Sequence, residues 1–218
     1  QLMFHGKGCC AVHWLRRFSA STRGQHVLQS YSVADEIAKA AVEGEKHEEK
    51  WIAEIGVGTG VLTSALLRRS GCLGVVGFEL DEEILKQGLV PGGALHRHKA
   101  RWQEVTLESQ AWSRLEWTKA LRGSSRCFVL KGNVLNCQIP GHCQTVVGNI
   151  PYRISSALIS KLLRQEPPLQ RIVLMVQMEF AKKLMAKPGT MKFGVVSAMC
   201  AALCAIFLTL HRGWIRKS

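Results

Sequence analysis

Acidic residues are missing from the first 34 positions of this 218-residue chain, and only Glu166 and Glu179 follow residue 152, against eleven Lys and Arg. The middle, 35–152, holds fourteen of each sign, so the net charge of +13 belongs to the two ends. A neutral core between basic ends suits presentation to a polyanion, because phosphate neutralisation supplies most non-specific nucleic-acid affinity. A solvated basic surface is the plainer reading of the same pattern. Cys-x-x-Cys pairs are absent among the eight cysteines, and so is a secretory signal with a cleavage site. That argues against a disulfide framework and for a reducing compartment. Cys137, His142 and Cys143 could be drawn as a zinc cluster, but their spacing matches no standard pattern and a fourth ligand is lacking, so no metal is expected. Long apolar runs are lacking too. The stretch 195–210 has 16 residues with Ser197 and Thr209 inside it, short of the about 20 that a membrane span needs. It reads as a buried helix, or as a helix followed by a strand. With 47% hydrophobic and 21% charged residues, the composition excludes wholesale disorder and collagen- or mucin-like chains. The length fits one ordinary domain with appendages.

Residues 1–24 carry Lys7, Arg16, Arg17 and Arg23 among apolar Val12, Trp14, Leu15 and Phe18, and run out through Ser and Thr. This is the composition of a mitochondrial transit peptide, which makes a mitochondrial location the expectation; a basic nucleic-acid-binding arm is the alternative. The main domain is expected over 25–197 and a basic remnant over 198–218. From residue 33 onward, helical and strand signals alternate. Val33, Ile37 and Ala40 recur at helical spacing; strands are predicted at 51–55, 73–79, 127–131, 145–148 and 171–177, with helices at 61–69, 81–88, 154–164 and 178–185. Such alternation implies an α/β fold with a parallel sheet and crossover helices. The stretch at about 89–126 breaks the tempo and reads as an insertion with a helix near 107–121. Its Trp102, Trp112 and Trp117 either pack it onto the body or dock a partner.

Two motifs carry chemistry. Glu54, Gly56, Gly58 and Gly60 stand at a predicted strand-to-helix turn, where an α/β sheet offers backbone N–H groups to a ligand. A dinucleotide loop needs a third glycine at position 61, which is Val61, and a P-loop needs a Gly-Lys-Ser/Thr ending that is absent. The loop instead resembles the S-adenosylmethionine-binding loop of class I methyltransferases. Glu79, at the end of the next predicted strand, is placed to accept both hydroxyls of a ribose. The second motif is Asn149, Ile150, Pro151 and Tyr152, directly after the strand 145–148. An exocyclic amine such as adenine N6 is a poor nucleophile because its lone pair is delocalised into the ring. Two acceptors on its hydrogens, the Asn149 side chain and the Ile150 or Pro151 carbonyl, favour the pyramidal geometry that frees that lone pair. Tyr152 would stack on the base, extruded from its helix to reach the pocket. A turn that merely closes a strand is the alternative.

These blocks, in order along the chain, resemble the small-subunit ribosomal RNA adenine dimethyltransferases of KsgA type, including the mitochondrial transcription factor B branch. The likeness runs from about 24 to 197. It includes Gln25, His26 and Leu28; Glu54 to Gly60; Phe78, Glu79 and Asp81; Asn149 to Tyr152 with Ile154 and Ser155; Gln177 and Glu179; and Lys192, Phe193, Gly194 and Ser197. It implies a class I, Rossmann-like methyltransferase fold with S-adenosylmethionine as cofactor. On this resemblance His26, Leu28, Gly56, Gly58, Glu79, Asn133 and Asn149 line the cofactor site, and Asn149, Pro151 and Tyr152 form the target-adenine pocket. Small-subunit rRNA and the ribosomal or assembly proteins of that subunit are the implied partners.

The departures are specific. His26 stands for an asparagine. Asn133 stands for the aspartate that accepts from the cofactor's adenine amine; a neutral acceptor in place of a charged one costs on the order of 1 kcal/mol, roughly five- to tenfold in affinity. The family's Phe-x-Pro-x-Pro segment and most of its small C-terminal helical domain have no counterpart in these residues, whose last proline is Pro188, so that domain is truncated or diverged. The expected function is adenine N6-methylation of small-subunit rRNA. The alternative is a catalytically weak or inactive factor for mitochondrial small-subunit assembly.

Overall fold

Val- and Ile-rich strands that are buried on both faces can only sit between two layers of helix, and that is where this chain puts them. The structure, a computed structural model, describes residues 9–14, 28–43, 50–96, 102–106, 126–203 and 205–210; of 9–14, 102–106, 205–210 and Tyr152 it describes the backbone alone. Eight strands form one sheet: β1 (Cys9–Trp14), β2 (Lys50–Ile55), β3 (Cys72–Glu79), β4 (Trp102–Thr106), β5 (Cys127–Lys131), β6 (Thr145–Asn149), β7 (Arg171–Val176) and β8 (Ala205–Leu210). Their order is β4-β5-β3-β2-β6-β7-β1-β8, and every pairing is parallel.

The period-two alternation of a strand sorts side chains into two cores. Ile52 of β2 and Val173 of β7 join one core with Val33, Ile37, Leu62 and Leu66, from α1 (Tyr31–Val42) and α2 (Val61–Leu67). Ala53, Ile55, Ile172 and Leu174 face the opposite core with Leu158, Phe180 and Val196, from α4 (Ser155–Leu163), α5 (Met178–Leu184) and α6 (Val195–Leu203). Helix α3 (Glu82–Leu89) follows β3, with Asp81 as its N-cap, accepting from the backbone N–H of Glu83 at 3.1 Å and of Ile84 at 3.4 Å. Ser30 caps α1 in the same way through Val33 at 3.5 Å.

Three features differ from the sequence reading or resolve it. Of the two readings of 195–210, the structure shows the second, helix then strand. The segment 89–126 contributes β4, an edge strand on β5, while its predicted helix near 107–121 lies outside the described residues. Within the acid-free first 24 residues, Cys9–Trp14 forms β1, inserted between β7 and β8. A short apolar run among basic residues reads as readily as part of a leader as it does as a strand, so nothing in the sequence pattern marked it.

Candidate active site at the switch point of the sheet

From β2 the chain moves outward to β3 on one side and later returns to place β6 on the other. Such a reversal opens a crevice beyond the carboxyl ends of the strands. Here those ends are Ile55, Glu79, Lys131 and Asn149.

The turn after β2 holds Gly56, Gly58 and Gly60 at φ of 74°, 55° and 80°, a left-handed region that favours glycine. A Cβ on Gly60 would lie 2.0 Å from Leu95 Cγ, and one on Gly88 2.3 Å from the Thr59 carbonyl. The loop is therefore clamped by α3 and the segment after it. Its N–H groups turn inward: Gly56 donates to the Phe78 carbonyl at 2.8 Å, Gly60 to the Val57 carbonyl at 2.9 Å, and Gly58 to Glu79 Oε2 at 2.7 Å. Glu79 Oε1 accepts from the N–H groups of Leu80 and Asp81, both at 2.8 Å. Three donors thus orient this carboxylate, leaving about one lone-pair site for a hydroxyl.

Glu54 is fully buried one turn behind the loop. Its Oε2 accepts from Thr63 Oγ1 at 2.6 Å, whereas Oε1 has no partner among the described residues. Burial pushes its carboxyl up to about 8; the Thr63 hydrogen bond opposes this and the nearby Glu79 charge adds to it. Leu80 is 65% exposed beside Glu79, a large apolar side chain in water at the mouth of the crevice. Sequence reasoning passed over Thr63, Leu80 and Leu95. A lone hydroxyl in the apolar run of α2 and an apolar residue between two acids at a strand's end were the available signals; Leu95 offered none.

Gly132 N–H donates to the Glu79 carbonyl at 2.8 Å, which joins the end of β5 to that of β3. Asn133 follows immediately, and its Oδ1 accepts from Leu135 N–H at 3.0 Å. Leu28 packs partly buried against the α1 and α2 core. His26 lies outside the described residues.

On the other side of the switch point, a Cβ on Gly56 would stand 3.6 Å from the Asn149 backbone oxygen, so the glycine loop and the Asn149 motif are neighbours. Ile150 N–H donates to the Met175 carbonyl at 3.2 Å, fixing the exit from β6. The Pro151 carbonyl accepts from Ser155 Oγ at 3.1 Å and Ile154 N–H at 3.2 Å. Its two lone pairs serve the first turn of α4, which leaves Ile150 as the carbonyl for a target amine. The Tyr152 side chain lies outside the described residues. The structure thus brings Glu54, Gly56, Gly58, Gly60, Glu79, Asn133, Asn149 and Pro151 to one edge of the sheet.

A model of the ribosomal RNA adenine dimethylase family matches residues 103–210. Ribosomal RNA small subunit methyltransferase A of Synechococcus elongatus is 30% identical over 194 residues, 84% of this chain and 61% of that protein. Over these spans the chain resembles the ribosomal RNA adenine dimethylases. Ribosomal RNA small subunit methyltransferase A of Thermosynechococcus vestitus is 32% identical over 195 residues, covering 84% of this chain and 60% of that protein. The chain therefore spans about three fifths of the length of these curated relatives. The crystal structure of a dimethyladenosine transferase from Plasmodium falciparum superposes with a TM-score of 0.56 at 24% identity, over 81% of this chain and 52% of that one. The shared fold is that of class I S-adenosylmethionine-dependent methyltransferases, and the resemblance to the adenine dimethylases implies S-adenosylmethionine as the cofactor.

Proposed function

We propose that this chain transfers methyl groups from S-adenosylmethionine to adenine N6 of small-subunit ribosomal RNA. The observation that carries this reading is the adjacency of the glycine loop and the Asn149 motif across the switch point. It supports a donor and an acceptor amine meeting at one crevice.

The residues present fit the cofactor. Glu54 keeps one buried carboxyl oxygen without a partner among the described residues, Glu79 retains acceptor capacity beside an exposed Leu80, and Asn133 ends the adjacent strand. Glu79 would take a ribose hydroxyl, Leu80 would cover an adenine face, and Glu54 would offer its second buried carboxyl oxygen beneath the loop. When bound, the cofactor supplies a methyl group already activated on a sulfonium. What remains for the protein is to hold the target amine, with Asn149 and the Ile150 carbonyl as acceptors on its hydrogens and Tyr152 stacking on the base. The proton leaves a nitrogen made acidic by methylation, so no strong general base is required.

Asn149→Ala is expected to lower transfer to adenine by two orders of magnitude or more while leaving cofactor affinity within a few fold. The check is labelled-methyl incorporation alongside calorimetric titration; an unaltered transfer rate contradicts the assignment. The second reading, a weak or inactive factor in small-subunit assembly, is favoured by Asn133. Its Oδ1 already accepts from Leu135 N–H, which leaves one lone pair on a neutral oxygen for an adenine amine, a weaker acceptor than a carboxylate. Cofactor binding without transfer to immature small-subunit RNA is the result that would select it. The mitochondrial location rests on the acid-free, Arg-bearing first 24 residues. Because β1 lies among them, we read the address as retained in the folded protein, and the N-terminal sequence of the mature protein tests this.

A further inference from the structure

Lys161 lies on α4, the helix that starts at Ser155, three residues after Tyr152 of the Asn149 motif. Its side chain leaves the helix and reaches the segment that follows β5. There the ammonium donates to the carbonyls of Val134 at 2.8 Å, of Leu135 at 2.9 Å and of Cys137. An ammonium has three N–H donors and no acceptor, so all of its capacity is spent on this one loop. The site is half-buried, and burial lowers the lysine from its ordinary value.

The loop so held is the one that presents Asn133. Leu135 N–H donates to Asn133 Oδ1, Asn136 N–H to the Asn133 carbonyl at 2.8 Å, and Cys137 Sγ to the same carbonyl at 3.3 Å. Those contacts fold the loop on itself; Gly132 N–H on the Glu79 carbonyl and the buried Val134 hold its start, and the lysine adds the directional attachment beyond Asn133. Helix α4 does not need that ammonium to dock, because Leu158, Ile159 and Leu162 already bury it against the core. The polar contact is therefore spent on placing the loop.

We propose that Lys161 is a positioning residue that registers the Asn133 loop, on the cofactor side, to the helix launched from the target-amine motif. This rests on the reading of Asn133 as a cofactor contact. Removing the ammonium leaves three carbonyls converging on an empty point, and the loop relaxes away from the end of β3. The target side, fixed by β6 and the Pro151–Ser155 hydrogen bond, stays in place.

The test is calorimetric titration of the whole chain with S-adenosylmethionine, comparing wild type, Lys161→Met, Asn133→Ala and the double variant. Lys161→Met is expected to weaken cofactor binding on the order of tenfold, the loss typical of hydrogen bonds from a charged donor. In transfer assays it should raise KM for the cofactor far more than it lowers kcat. In the Asn133→Ala background the same change should cost little further, a non-additivity that a merely structural role would not produce. If Lys161→Met does not fold, Lys161→Gln carries the comparison, since one amide can serve two of the three carbonyls at most. Cofactor affinity equal to wild type in a folded Lys161 variant, or full additivity with Asn133→Ala, overturns the positioning role. Absence of binding by the wild-type chain overturns the cofactor reading beneath it, and the two failures are told apart by that wild-type titration.

Discussion

Glu54 shows how one residue ties stability to the site. In the unfolded chain its carboxyl titrates near 4.5, and in the folded protein burial raises it to about 8. The folded state therefore binds this proton more tightly. Its contribution to stability is fully present below about pH 4.5 and is lost as pH rises through about 8. Glu54→Gln keeps the shape of the protonated acid and removes the titration. Urea unfolding between pH 5 and 9 should show the variant gaining roughly 4 kcal/mol on wild type across that range; parallel curves would show that Glu54 does not titrate in this way. The acid itself was legible in the sequence, because its spacing from three glycines is the mark of the loop. Thr63, which orients it, was not, since a hydroxyl in an apolar helical run gives no sign of the strand it will meet. The same limit applies to the carbonyls of the Asn149 motif. The sequence offered Ile150 and Pro151 equally, and only the first turn of α4, which takes up the Pro151 oxygen, separates them.

At the level of elements, the central strands and their helices could be read because each is a run of buried Val, Ile and Leu followed by a turn signal. Glycine punctuation placed the β2–α2 turn, and the run before Asn149 placed β6. Element β1 could not be read, because a short apolar run among basic residues is equally a leader and a strand. Its position gives it a partner on each side, so its N–H groups face neighbouring strands rather than water. Ala11→Pro removes one of those donors and leaves a ladder carbonyl unpaired, which should cost about 1–3 kcal/mol and lower Tm by roughly 2–12 °C for a chain of this size. An unaltered Tm would mean that Cys9–Trp14 is not part of the folded sheet.

Across the whole molecule, charge and site are separated. The glycine loop, Glu79, Asn133 and Asn149 belong to the segment where acids and bases cancel, while the excess of positive charge follows residue 152 and precedes residue 35. Such a division leaves the crevice free for a cationic cofactor and assigns attraction of a polyanion to the flanks. The resemblance in sequence order was enough to indicate the family, because six blocks in register constrain a fold more than any single motif. The positioning contact between Lys161 and the Asn133 loop was out of reach, because it joins residues 24 to 27 positions apart through a side chain that looks, in sequence, like any surface lysine. The measurement that bears most directly on the central claim is calorimetric titration of the purified chain with S-adenosylmethionine, with S-adenosylhomocysteine as control. A dissociation constant in the micromolar range is the predicted result; a folded chain that binds neither ligand would contradict the account.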